Sequence, residues 1–181
     1  MTDRKNIKLD LISLEYTTLK AEQLKRIEHR DHIIYLQIIA LGLLFGLSEK
    51  TSLSLVTLIV PFICIALGWT YLVNDQKVSS IGKYIRGSLS DNINSLLGDG
   101  VSEFDFGWEL SHRSDANRIG RKVIQLFIDL LVFVAPAATA IFITLKDPRT
   151  IFENVVLGVE GIFVFILAWQ ILHYADLNKG A

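Results

Sequence analysis

Apolar and polar positions along this chain fall into long separate blocks. The clearest apolar block lies between Val123 and His173. It reads as two segments, VIQLFIDLLVFVAPAATAIFITL from Val123 and IFENVVLGVEGIFVFILAWQILHY from Ile151, joined by the polar turn Lys146 to Thr150. Each segment is long enough to cross a bilayer as a helix. Two more apolar blocks precede them. Ile33 to Leu47 is short for a span and contains Gly42 and Gly46 at the spacing that permits close helix approach. Leu53 to Val73 carries Pro61, expected to kink or locally open its helix. The third span carries Pro136 near its centre.

The polar blocks read as helical too. Residues 1 to 8 are expected to fray. From Leu9 the residues Ile12, Tyr16, Leu19, Leu24 and Ile27 recur at helical spacing, and no Gly or Pro intervenes before Ile33. One continuous helix from about Asp10 to Leu47 follows, roughly 55 Å long at 1.5 Å per residue. In the central block, Ile81, Tyr84, Ile85, Leu89, Ile93, Leu96 and Leu97 form an amphipathic stripe that Gly98-Asp99-Gly100 ends. A second helix starting near Ser102 or Trp108 leads into the third span.

The expected class is all-α: four transmembrane helices with a helical cytoplasmic extension. Its parts are an amphipathic N-terminal helix (1–32), spans one and two (33–73), a cytoplasmic helical hairpin (74–122), spans three and four (123–174) and a tail (175–181).

Composition sharpens this picture only in places. Of 181 residues, 51% are hydrophobic and 20% charged, so the charges must be confined to their own blocks. The net charge of −1 gives no bulk field for nucleic acid. With one cysteine, Cys64, neither an intramolecular disulfide nor a cysteine metal site can form. The opening MTDRKNIKLD lacks the basic, apolar and small-residue order of a signal peptide, so the first apolar block reads as a retained span. Seven basic residues lie in the N-terminal arm, seven in the central block and one, Lys179, in the tail, whereas the two short turns hold only Lys50, Lys146 and Arg149. This bias puts both termini and the central block in the cytoplasm of a bacterial inner-membrane protein.

Chemistry at membrane depth points first to acids. Asp129 and Glu160 lie inside the third and fourth spans with no Lys or Arg at similar depth. In an antiparallel hairpin their depths differ by several ångströms, so they are expected to face a shared interior. Three roles remain open for this intramembrane acidic pair: a protonated pair, a wet cation-attracting cavity, or hydrogen bonding to Gln37, Thr139, Gln170 or backbone. Glu153 sits near the external end, where an acid is cheap. At the membrane entrance Glu28, His29, Arg30, Asp31 and His32 cluster, suited to ion pairs or lipid headgroups and too few for a metal site. Arg26 and His32 match the loose Arg–His spacing of HEPN ribonucleases. Phe104, Phe106 and Trp108 form an aromatic apex, either capping its own core or docking a partner. No phosphate-binding loop, nucleophile elbow or zinc-protease motif occurs, and Ser111, His112 and Asp115 lie on one short stretch that cannot form a triad. Neither cofactor nor catalytic residue is expected.

Two stretches resemble a widespread family of small four-span bacterial inner-membrane proteins. LEYTTLKAEQLKRIEHR (Leu14 to Arg30) resembles that family's N-terminal helix, and IGKYIRGSL (Ile81 to Leu89) with GWE (Gly107 to Glu109) resembles its central loop. The resemblance implies location and no activity. In layout alone, the chain resembles membrane components of antiphage defence systems such as the Kiwa membrane subunit. The expected function is a non-enzymatic, homo-oligomeric sensor or effector that couples the bilayer to a cytoplasmic helical head or a soluble partner. The alternatives are an ion-conducting pore or membrane-perturbing effector, and a membrane-bound HEPN-like ribonuclease.

Overall fold

A computed structural model describes residues 2–48, 53–97, 117–146 and 150–175, without the side chains of 2–4, 53, 54 and 118. The apex Phe104, Phe106 and Trp108 and the SHRSD stretch lie outside the described residues. All described elements are helical: α1 (Thr2–Leu47), α2 (Leu53–Tyr84), a wide π turn π1 (Ile85–Leu89), α3 (Ser90–Leu97), α4 (Arg118–Asp129), a second wide turn π2 (Leu130–Val134), α5 (Ala135–Thr144) and α6 (Ile151–Tyr174). Four helical stretches are long and apolar enough to cross a membrane, as expected: Lys5–Leu47, Leu55–Leu97, Ile119–Thr144 and Ile151–Tyr174.

α1 begins at Thr2, inside the stretch expected to fray, and residues 2 to 8 are helical. Nothing in TDRKNIKL breaks a helix. α2 passes through Pro61 without changing helix type, against the expected local opening. Pro136 differs. It occupies the first turn of α5, where its missing N–H is tolerated, and π2 immediately precedes it.

The two wide turns share a cause that is visible in the spacing of buried positions. On α4, π2 and α5 the buried residues Asp129, Phe133 and Ala137 recur every four. Ile85, Leu89 and Ile93 do the same across π1. At 3.6 residues per turn, a four-residue repeat drifts by roughly 40° each time. A turn closed by i→i+5 bonds is wider and takes up that drift. On α6 the buried residues are Leu157, Glu160, Val164, Leu167 and Ile171, alternating steps of three and four, and α6 is a plain α-helix.

The chain divides into two compact units. The first comprises residues 1–29 and 74–118. Its helices pair antiparallel. Tyr84 donates from its hydroxyl to Glu15 Oε1 at 2.7 Å, Gln23 from Nε2 to the Val78 carbonyl at 3.2 Å, and Arg26 from Nη1 to Asn74 Oδ1 at 3.4 Å. Ile85, Leu89 and Ile93 are buried here. Leu24, expected on the inner stripe, is 68% exposed. The inward place beside it belongs to Gln23, which reaches across to α2.

The second unit comprises residues 30–73 and 119–181. Its interior has two layers. Ile33, Tyr71, Leu72, Phe133, Leu167 and Ile171 form one, and Cys64, Ala137 and Val164 the other. Apolar side chains gain little from leaving lipid, so such a bundle depends on close packing and buried hydrogen bonds. Gly68 supplies the closest approach: a Cβ there would lie 2.8 Å from Leu167 Cδ2 and 3.2 Å from Phe133 Cβ. Gly42 and Gly46 have open space around them and make no close approach within the chain. Large apolar side chains cover the outside, among them Phe45, Phe152 and Phe165. In water such a surface is unfavourable, and in lipid it is not.

Candidate functional site

The two acids of the apolar segments are both buried, in different settings. Asp129 is the last residue of α4. One turn earlier, Gln125 points the same way. Its Nε2 donates to Asp129 Oδ1 at 3.0 Å and also to the Tyr71 hydroxyl on α2. The Tyr71 ring in turn lies 5.1 Å from that of Phe133, tilted by 36°. Asp129 therefore belongs to a hydrogen-bonded strut joining α2 to α4. The partners foreseen for it were Gln37, Thr139, Gln170 or backbone; Gln125 was overlooked, although it precedes Asp129 by four on one helix face.

Glu160 sits on α6 and is 8% exposed. It shares the inward face with Leu157, Val164, Leu167 and Ile171. Its Oε2 has no hydrogen-bond partner among the described residues. One other buried side-chain atom shares that condition, Gln37 Oε1, whose amide nitrogen donates to Cys64 Sγ at 3.0 Å.

The packing register separates the acids. Val164 packs in the layer of Ala137, and Leu167 in that of Phe133, so α6 runs antiparallel to α4 and α5. Glu160 lies four residues from Val164 in one axial direction, and Asp129 lies eight residues from Ala137 in the other. At 1.5 Å per residue the acids are roughly 18 Å apart along the bundle. The expected shared interior is not formed. Depth counted from assumed span ends missed the register because α4 begins at Arg118 and π2 alters the third span's path.

Glu153 has a local role. Its backbone N–H donates to the Thr150 hydroxyl at 3.3 Å, and its Oε2 accepts from the Thr150 N–H at 2.8 Å. This capping box starts α6 and was legible as Thr150-Ile151-Phe152-Glu153.

The residues Glu28 to His32 follow one another along α1. Glu28, His29, Asp31 and His32 are exposed and Arg30 is half-buried. Arg30 reaches Asp31 at 3.4 Å, a weak neighbour contact. No group of three metal-ligating side chains occurs among the described residues. Arg26 pairs with Glu22 at 2.6 Å and bonds Asn74. Six residues on a helix place Arg26 and His32 about 120° apart around the axis, so one chain does not aim them at one point. Gly68 and Tyr71, which govern the packing, were not singled out from the sequence as packing residues. A glycine in step with the inward positions Pro61, Cys64, Tyr71 and Leu72 was the available signal for the first.

Chemically, the bundle has one acid held in a polar strut and one acid with an unsatisfied oxygen. No family model matches the chain, nor does any curated protein or solved structure.

Proposed function

We propose that this chain is a bacterial inner-membrane protein, with termini and central segment in the cytoplasm, that couples the state of the bilayer to its polar helices or to a soluble partner. It acts without catalysing a reaction and as a homo-oligomer. Antiphage defence is the setting suggested by its layout.

One observation carries this reading: the chain leaves its apolar part twice without a break in helix, at His29–Arg30 within α1 and at Val73–Asn74 within α2. A continuous helix transmits rotation and translation that a loop would absorb. The spans also differ in length, which supplies a signal. The apolar stretch Ile33–Leu47 rises roughly 22 Å, whereas α6, with 24 residues, rises roughly 36 Å. The hydrocarbon core is about 30 Å thick, so thickness acts on these helices in opposite senses.

The test is amide exchange of residues 5–29 and 74–97 in proteoliposomes of short-chain and long-chain lipid. Exchange should change with lipid length, and a Gly-Gly insertion between His29 and Arg30 should abolish that response. Identical exchange in both lipids sinks the coupling. A monomer by native mass spectrometry from mild detergent removes the oligomer from the reading. The pore alternative draws on the unsatisfied Glu160 oxygen; no proton or cation flux in liposomes, or flux unchanged by Glu160→Gln, ends it.

A further inference from the structure

We propose that the Glu160 carboxyl is a proton-binding site in the interior of the apolar bundle. The proposal does not rest on the coupling described above; either can hold when the other fails.

Three observations converge on it. Glu160 is more than nine-tenths buried on the inward face of α6, and its Oε2 has no hydrogen-bond partner among the described residues. Asp129, the other buried acid, accepts from Gln125 and so has a donor supplied by the fold. An acid buried without such a donor needs a cation to take its place.

The elements packed against α6 decide which cation. α5, Ala135–Thr144, carries no titratable or charged residue. The apolar part of α1, Ile33 to Leu47, carries none that is charged; Tyr35 there is exposed. α2 brings Cys64, which packs with Val164 one turn from Glu160. On α6 itself Glu153 is committed to the Thr150 cap, and Asp129 lies in the far layer. No Lys or Arg faces Glu160 from these elements. A metal ion requires several oxygen ligands, six or more for magnesium or calcium. No group of three His, Cys, Asp or Glu side chains occurs among the described residues, so Glu160 has no co-ligands of that kind for such an ion. A proton needs a single oxygen.

The bound proton also turns an acceptor into a donor. The second unsatisfied acceptor of this unit, Gln37 Oε1, belongs to the Cys64 layer, one helical turn along the bundle. Releasing the proton leaves a charge with no counter-charge between packed helices, so proton exchange alters the packing of α6 against its neighbours.

The test uses the full chain in liposomes and dicyclohexylcarbodiimide, an apolar reagent that adds to protonated carboxyls, with the adduct located by peptide mass spectrometry. An adduct forms on Glu160, and its rate falls about tenfold per pH unit on the alkaline limb of the profile. Sodium ions give no protection, and Glu160→Gln carries no adduct at that position. Absence of the adduct from about pH 5 to about pH 9, or a rate independent of pH over that range, overturns the proposal. Protection by sodium overturns the proton as occupant. The wild-type profile decides the matter even where the variant fails to fold.

Discussion

Replacing Gly68 by alanine tests the packing of the bundle at its tightest point. The new methyl would lie 2.8 Å from Leu167 Cδ2 and 3.2 Å from both Cβ and Cγ of Phe133. Leu167 and Phe133 are both 0% exposed, so neither has free space to retreat into. Overfilling a packed interior costs about 1–3 kcal/mol. Against this, alanine is favoured over glycine within a helix by about 0.5–1 kcal/mol. The backbone effect is removed by measuring Gly42→Ala alongside, where the methyl meets nothing within 4 Å. Gly68→Ala should then be less stable than Gly42→Ala by about 1–3 kcal/mol. The assay is unfolding of purified protein by added SDS, followed by helical circular dichroism and by the fluorescence of the adjacent Trp69. Shortening Leu167 makes room, so Leu167→Ala should cost less in the Gly68→Ala background than in the wild type. Stabilities of the two glycine variants within about 0.5 kcal/mol, together with additive behaviour of the pair, would refute the close approach of α2, π2 and α6.

Three further outcomes follow from particular contacts. Gln125→Leu removes the donor that Asp129 and Tyr71 share, and should lower the same SDS stability by about 1–3 kcal/mol; an unchanged midpoint would show that the strut bears no strain. Thr150→Ala opens the capping box of α6 and should cost about 0.5–2 kcal/mol, with loss of amide protection confined to the first turn of that helix. Tyr84 lies outside the apolar segments, and its hydrogen bond to Glu15 holds its ionisation above the ordinary tyrosine value of 10.0. The contact is therefore intact at neutral pH and is lost as the pH rises through the shifted value. Glu15→Gln should move one tyrosine step in the 295 nm absorbance titration to lower pH, with Tyr84→Phe identifying which step it is.

The apolar helices were legible because membrane-length apolar runs have few other solutions. Ile151–Tyr174 coincides with the structure at both ends, since the Thr150 cap and the closing polar tail mark them. The continuity of α1 was legible from the absence of Gly and Pro. What escaped was mainly lateral. Side-chain partners such as Gln125 with Tyr71 depend on which helices adjoin, and register between helices is set by interlocking side chains such as Leu167 and Phe133 around Gly68. Counting residues inward from a supposed boundary cannot recover that register, which is why Asp129 and Glu160 seemed level. Proline's effect depends on the turn it occupies: α2 keeps its helix type through Pro61, whereas a wide turn precedes Pro136. Gly42 and Gly46 matched a close-approach motif, yet the close approach within the chain is made by Gly68, which matches no motif.

The wide turn at Leu130–Val134 can also be regarded as one residue too many for an α-helix. Deleting a single residue there would return the third span to a uniform α-helix. Asp129 would then precede Ala137 by seven residues, about 700° at 100° per residue, so the two would still share the inward face and Gln125 would keep its side towards Tyr71. With the residue kept and the wide turn closed up instead, the eight residues from Asp129 to Ala137 would sweep about 800° and carry the polar strut about 80° off that face. The wide turn is thus what lets the span hold one residue more than a plain helix and still present its strut to α2.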